Sequence, residues 1–211
     1  MLQFNTVQKF YGDFLAMDIP SLSIPSGVYW LKGENGSGKT SFLKMIGGLH
    51  PFNGDILLDG TSIKRNRVSF LQKVNYAEAE PLYPQFLTGK DMVNLYCKTK
   101  KAAEKDALQL LEQLHILDAC QRPVGTYSSG MLKKLSLVLA FIGNAEWILL
   151  DEPLITVDKE AVAVICKLIN DLHAERNTSF IITSHQPFQH DALMPTIPMI
   201  AANKTILIGH E

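Results

Sequence analysis

The eight residues Gly33-Glu34-Asn35-Gly36-Ser37-Gly38-Lys39-Thr40 carry the plainest chemical instruction in this chain, which is to hold phosphate. Glycine, four residues, then Gly-Lys-Thr is the phosphate-loop pattern, in which small residues let backbone N–H groups approach phosphate oxygens. Lys39 has the reach and charge for the β- and γ-phosphates of a nucleotide, and the Thr40 hydroxyl is a hard oxygen ligand for Mg²⁺. Ser41 follows directly and joins the same candidate binding set. Far downstream, Asp151-Glu152 closes the apolar run Trp147-Ile148-Leu149-Leu150. An apolar strand ending on an aspartate delivers its carboxylate to the end of an open α/β sheet, where ligands bind. Asp151 is then suited to hold Mg²⁺, directly or through water, and Glu152 to accept a proton from an attacking water. The two segments together predict a nucleoside triphosphate site.

Elements must exist to position them. Val28-Tyr29-Trp30-Leu31 reads as a strand feeding the loop, and Ser41 to Ile46 as the helix it opens onto. At that helix N-terminus, unpaired N–H groups and the positive end of the helix dipole face the phosphates. Residues 2 to 32 read as β-rich, and Asp55 to Leu58 as a short strand closed by the turn pair Asp59-Gly60. From about 88 to 142 helical spacing takes over, with Ala107, Leu110, Leu111 and Leu114, then Leu132, Leu135, Leu139 and Ile142. Strands at Trp147 to Leu150 and Ser179 to Thr183, separated by a helical stretch from Lys159 to His173, predict parallel pairing through a crossover helix. Pro198 to Ala201 and Thr205 to Ile208 flank Asn203-Lys204 as a terminal hairpin. The expectation is one α/β domain over 1–211 with an inserted helical subdomain at about 88–142.

Composition narrows the partners. The chain has 211 residues, 46% hydrophobic and 19% charged, enough to bury a core. A formal net charge of −1 gives no reason to expect nucleic acid. Lys98-Thr99-Lys100-Lys101 reads as a solvated helix start. Cys97, Cys120 and Cys166 lack metal-ligand spacing and read as buried or incidental thiols in a reducing compartment. No apolar run approaches the ~20 residues that span a bilayer, which predicts a cytoplasmic protein held at a membrane only by another polypeptide.

Tyr127-Ser128-Ser129-Gly130-Met131, some twenty residues before Asp151, resembles the signature loop of ATP-binding-cassette (ABC) ATPases. With the phosphate loop, Ile148-Leu149-Leu150-Asp151-Glu152-Pro153 and Thr183-Ser184-His185, the order and spacing resemble that family over nearly the whole chain. The resemblance implies a P-loop NTPase core, a small antiparallel β-subdomain and a helical subdomain carrying the signature. It implies that Tyr11 stacks on adenine and that Ser128 and the Gly130 backbone contact a γ-phosphate bound to the opposite subunit. Asp158 would lie at the dimer interface, and His185 would touch the γ-phosphate. ATP and Mg²⁺ are the implied ligands. The implied partners are a second nucleotide-binding subunit, identical or not, and a separate transmembrane permease at the inner face of the cytoplasmic membrane. Tyr127 opening the signature and Met131 closing it resemble ABC-2-type exporters.

The chain also departs from the family pattern. Alignment through Leu87-Thr88-Gly89 puts Ala79 where the family has a glutamine that contacts Mg²⁺ and senses the membrane partner; Gln72 would need a shift of seven residues. Glu78 and Glu80 are the nearby carboxylates that could substitute. Ser129 replaces a usual glycine, and Leu154-Ile155-Thr156 a more polar stretch. Two other functions share a phosphate loop: an ABC-type clamp on nucleic acid or a protein complex, and a small-molecule kinase. The clamp reading expects paired cassettes or long coiled coils, and the chain has one cassette and no heptad run; the signature loop argues against the kinase.

Overall fold

The computed structural model describes residues 1–184 and 193–209. Two sheets carry it. The first is antiparallel, in the order β2-β1-β4-β5, built from β1 (Leu2–Tyr11), β2 (Phe14–Ile24), β4 (Asn53–Leu58) and β5 (Thr61–Ser62). The second, in the order β10-β9-β3-β8-β7-β6, comprises β3 (Val28–Lys32), β6 (Val74–Ala77), β7 (Trp147–Leu150), β8 (Ser179–Thr183), β9 (Ile197–Ala202) and β10 (Thr205–Ile208). Its pairings are parallel except for the β9–β10 hairpin. The helices are α1 (Lys39–Ile46), α2 (Arg67–Gln72), α3 (Gly89–Lys100), α4 (Glu104–Gln113), α5 (Ser129–Phe141) and α6 (Lys159–Arg176).

Strands in a parallel sheet bury both faces, so their side chains divide between two cores. Tyr29, Leu31, Trp147, Leu149 and Ile181 point into a core shared with α1 and the antiparallel sheet, where Phe4, Phe42 and Ile56 meet them. Val28, Ile148, Leu150, Phe180 and Ile182 point the other way, onto the helices. This explains why β7 and β8 read as continuous apolar runs rather than alternating ones. Trp147 is 1% exposed and stacks on Tyr29 at 6.1 Å between ring centroids. Trp147→Ala should therefore lower unfolding free energy by about 3–5 kcal/mol, read by chemical denaturation.

Helix boundaries follow local chemistry. Thr88 and Asp91 form a reciprocal capping box that starts α3, and the Asp158 carboxylate accepts from Ala161 N–H to start α6. Three of the predicted helical positions, Ala107, Leu110 and Leu111, are the buried face of α4.

The basic run at 98–101 corrects one expectation: it ends a helix rather than starting one. Lys101 takes the left-handed conformation at the C-cap of α3. The Lys100 ammonium turns inward and donates to the carbonyls of Leu71 and Val74, at 2.5 and 2.9 Å. Cationic groups belong at helix C-termini, and this one also ties α3 to the beginning of β6.

Candidate functional site

β3 delivers the glycine loop to the C-terminal end of the parallel sheet. Gly33 is required there by space: a Cβ would lie 2.5 Å from Ser37 Oγ and 2.7 Å from the Ala201 carbonyl. Gly38, at φ 99, is the N-cap of α1 and offers no side chain to its first-turn N–H groups, so these donors stay open to a ligand. Lys39 is 7% exposed, and its ammonium donates to the carbonyls of Gly33 and Glu34, at 2.7 and 3.0 Å. Asn35, Gly36, Ser37, Gly38, Lys39, Thr40 and Ser41 line an open cleft of about 490 Å³ with Ala79, Glu80, Glu152 and Ile155. That volume lies within the usual range for small-molecule sites.

Asp151 and Glu152 follow β7 onto the same end of the sheet. Asp151 is 1% exposed; its Oδ1 accepts from the Thr183 hydroxyl at 2.7 Å and its Oδ2 from the Tyr76 hydroxyl at 3.2 Å. Burial, followed by the Asp151 charge, pushes the Tyr76 phenol well above its ordinary value, so it remains a donor. Thr183 Oγ1 also accepts from the Glu152 N–H at 2.9 Å. One hydroxyl thereby fixes both acidic residues, and Glu152 is held at φ 47, in the left-handed region. A carboxylate fixed by two donors and the exposed Thr40 hydroxyl, in the first turn of α1, are hard-oxygen ligands of the kind that fit Mg²⁺.

The structure decides between Ala79 and Gln72. β6 runs parallel to β7 with Ala77 level with Leu150, so Ala79 emerges beside Asp151 and lines the cleft. Gln72 ends α2, ahead of Val74, which is level with Trp147 at the opposite end of the sheet. A strand advances ~3.3 Å per residue, so Gln72 lies far from the cleft. The Glu78 carboxylate pairs with Lys44 at 3.4 Å, whereas Glu80 lines the cleft.

The signature residues form a second cluster. Ser128 N-caps α5, its hydroxyl accepting from Met131 N–H at 3.2 Å. A Cβ on Gly130 would come within 2.8 Å of the Thr156 carbonyl, so the loop after Glu152 packs directly on this helix start. Ser129 has no positive φ, which is why a side chain is tolerated where the family has glycine. Asp158 pairs with Lys134 at 2.5 Å, and that ammonium, together with the Ala161 N–H, holds its carboxyl below the usual carboxylate value. Tyr127 is not a surface group: its hydroxyl donates to the Ala119 carbonyl at 2.7 Å inside the helical region. Tyr11, at the end of β1, is half exposed and hydrogen-bonded through its hydroxyl to Ser41 Oγ at 2.9 Å and His50 Nδ1 at 3.1 Å. This puts a half-exposed aromatic ring beside the loop, with the Lys9 ammonium 4.5 Å from its centroid and His50 edge-on to it. His185 lies outside the described residues.

Sequence reasoning missed Lys133. It is 2% exposed, and its ammonium donates to the carbonyls of Glu78 (2.8 Å), Ala79 (3.2 Å) and Asp151 (2.7 Å). Burial lowers its pKa to about 8, against the opposing pull of Asp151, Glu152 and Glu78. A lysine inside a largely apolar helix was the available signal. Tyr76 and Thr183 were also missed as holders of Asp151.

Comparison with known proteins accords with this geometry. A family model described as ABC transporter matches residues 18–155. The chain is 29% identical over 221 residues to the human ATP-binding cassette sub-family A member 2, covering 99% of this chain and 9% of that protein. It is 28% identical over 202 residues to the lipoprotein-releasing system ATP-binding protein LolD of Buchnera aphidicola, covering 90% of this chain and 87% of that one. In solved structures it overlays an ATP-binding subunit of an ABC transporter with a TM-score of 0.86 at 19% identity, covering 97% of this chain and 87% of that one. A dimeric ATP-binding cassette in a post-hydrolysis state with ADP and phosphate overlays at 0.82 and 17% identity, covering 98% of this chain and 96% of that one. From its motifs, its fold and the family match over most of its length, the chain belongs to the ABC transporter family.

Proposed function

We propose that residues 1–211 act as one nucleotide-binding domain, its helical subdomain at about 88–142, which hydrolyses ATP to drive a separate transmembrane partner. The observation that carries this reading is the shared cleft: phosphate-loop residues 35–41 and Glu152 line one cavity. In the proposed reaction a water oxygen bonds to the γ-phosphorus, its proton passes to the Glu152 carboxylate, and the bond from that phosphorus to the β,γ-bridging oxygen breaks, releasing ADP and phosphate. Lys39 and the N–H groups at the start of α1 stabilise the phosphate charge. Thr40 and Asp151 would hold Mg²⁺, which supplies further positive charge against the phosphate oxygens. Tyr11 would stack on the adenine, and His185 would contact the γ-phosphate.

The phosphate loop covers one side of such a ligand. Ser128 and the α5 start at Gly130 are suited to close the other, from a second subunit, with Asp158 near the seam. A ligand that binds only the dimer favours dimerisation by mass action. The reading is supported by the dimeric cassette noted above. The surface that would meet the membrane partner is apolar: Leu82 and Phe86, between the cleft and α3, are 90% and 80% exposed. No helix among the described residues is long and apolar enough to cross a membrane, so contact with the inner face of the cytoplasmic membrane would come through that partner.

Light scattering tests the composite site. With Glu152→Gln to block turnover, saturating ATP should convert monomer to dimer. Adding Ser128→Arg should weaken that dimer about tenfold or more, since bulk at a closely packed seam costs more than the ~1.4 kcal/mol that tenfold represents. A Glu152→Gln protein that stays monomeric at high protein concentration, alone and with its membrane partner, contradicts the reading.

A further inference from the structure

Three peptide carbonyls at the cleft converge on one buried cation. Glu78 and Ala79 follow β6, and Asp151 follows β7; neither segment belongs to the helix that supplies Lys133. The ammonium has three N–H donors, and the three carbonyls use all of them. Ala79 itself brings only a methyl group to the cleft, so no side-chain polar atom at that position can report on a ligand. Lys133 lies four residues after Ser129, the first residue of α5, about one turn into the helix, and Lys134 reaches the other way to Asp158. The second turn of α5 is thus fastened on one side to the strand ends that carry Asp151 and on the other to the loop that follows Glu152.

We propose that Lys133 is a positioning residue for hydrolysis: it sets Asp151-Glu152 and the Ala79 segment in register with the signature helix, replacing by backbone contacts the link that Ala79 cannot make through its side chain. The inference rests on the hydrolytic reading above. A displacement of the Asp151–Glu152 peptide by even about 1 Å changes the line from Glu152 to the attacking water, and misplacements of that size cost on the order of 10²-fold in rate. The hydrogen bonds of Lys133 go to the Glu78, Ala79 and Asp151 carbonyls, not to the phosphate loop that would make the ligand contacts. Turnover and binding should therefore respond differently to its loss.

The same fold supplies a control. Lys100, the last residue of α3, is a second inward-turned ammonium, donating to the carbonyls of Leu71 in α2 and Val74 at the start of β6, away from the cleft. Steady-state ATP hydrolysis by the full chain, with melting temperature recorded for each variant, makes the comparison. Lys133→Met should lower kcat about 10- to 100-fold with KM for ATP within about threefold of wild type, and Lys133→Arg should recover part of kcat. Lys100→Met should lower the melting temperature without lowering kcat. Should Lys133→Met fail to fold, Lys133→Gln, which keeps two N–H donors, is expected to show the same kcat loss at constant KM. Folded Lys133 variants with kcat within threefold of wild type overturn the proposal, as does an equal kcat loss in Lys100→Met. A wild-type chain that hydrolyses no ATP, alone or with its partner, overturns the hydrolytic reading and this inference with it; active wild type beside an unimpaired Lys133→Met overturns only the positioning role.

Discussion

Exchange of Glu152 for glutamine is expected to lower ATP turnover roughly 10²–10⁴-fold while ATP stays bound. The replacement keeps length and one carbonyl oxygen but cannot take a proton from water. The hydrogen bond from the residue 152 backbone N–H to the Thr183 hydroxyl does not involve the exchanged group and stays in place. The phosphate contacts proposed above lie on α1 and the glycine loop, so binding has no reason to fall. Single-turnover phosphate release, measured beside calorimetric ATP binding, separates the two effects. Loss of ATP with turnover per bound nucleotide intact would assign Glu152 to binding instead.

Lys39→Ala should do the reverse and weaken ATP binding about 10²-fold. Hydrogen bonds from a charged donor are worth roughly 1.5–3 kcal/mol each, and about 1.4 kcal/mol is tenfold. The fold should survive, because the carbonyls that Lys39 releases belong to Gly33, which is half-buried, and Glu34, which is exposed. Calorimetry with ATP–Mg²⁺ gives the affinity, and circular dichroism confirms folding. Undiminished affinity in the variant would remove the phosphate loop from the site.

The glycine loop and the Asp151-Glu152 pair were legible in the sequence because their chemistry is local: adjacent residues, one turn, one strand end. The strands at 147–150 and 179–183 were legible for a related reason, since burial on both faces favours apolar residues, four of four in the first and the central three in the second. β6 and α2 were not. Four residues of β6, one of them Asn75, give no period to detect, and Asn75 is polar because its amide donates to the carbonyls of Ala140 and Ile142 at the end of α5. That need arises 65 residues away. Lys133 escaped on the same ground: its partners come from two strand ends, and no spacing along α5 announces them. The run at 98–101 misled because solvation is the ordinary fate of clustered lysines, and only the fold shows Lys100 turned inward.

The position of β3 also governs when this protein can become itself during synthesis. The strand that leads into the phosphate loop is flanked by β8 and β9, with Leu31 paired to both Thr183 and Met199. Ribosomes add roughly 5–20 residues per second, so the loop's own strand waits on the order of ten seconds or more for its first neighbour. Until then both its edges are open, and unpaired apolar edges invite pairing with other chains. Nascent chains would thus be most exposed to aggregation late in translation, and a release of the chain ahead of β8 would leave a complete phosphate loop with no sheet to hold it.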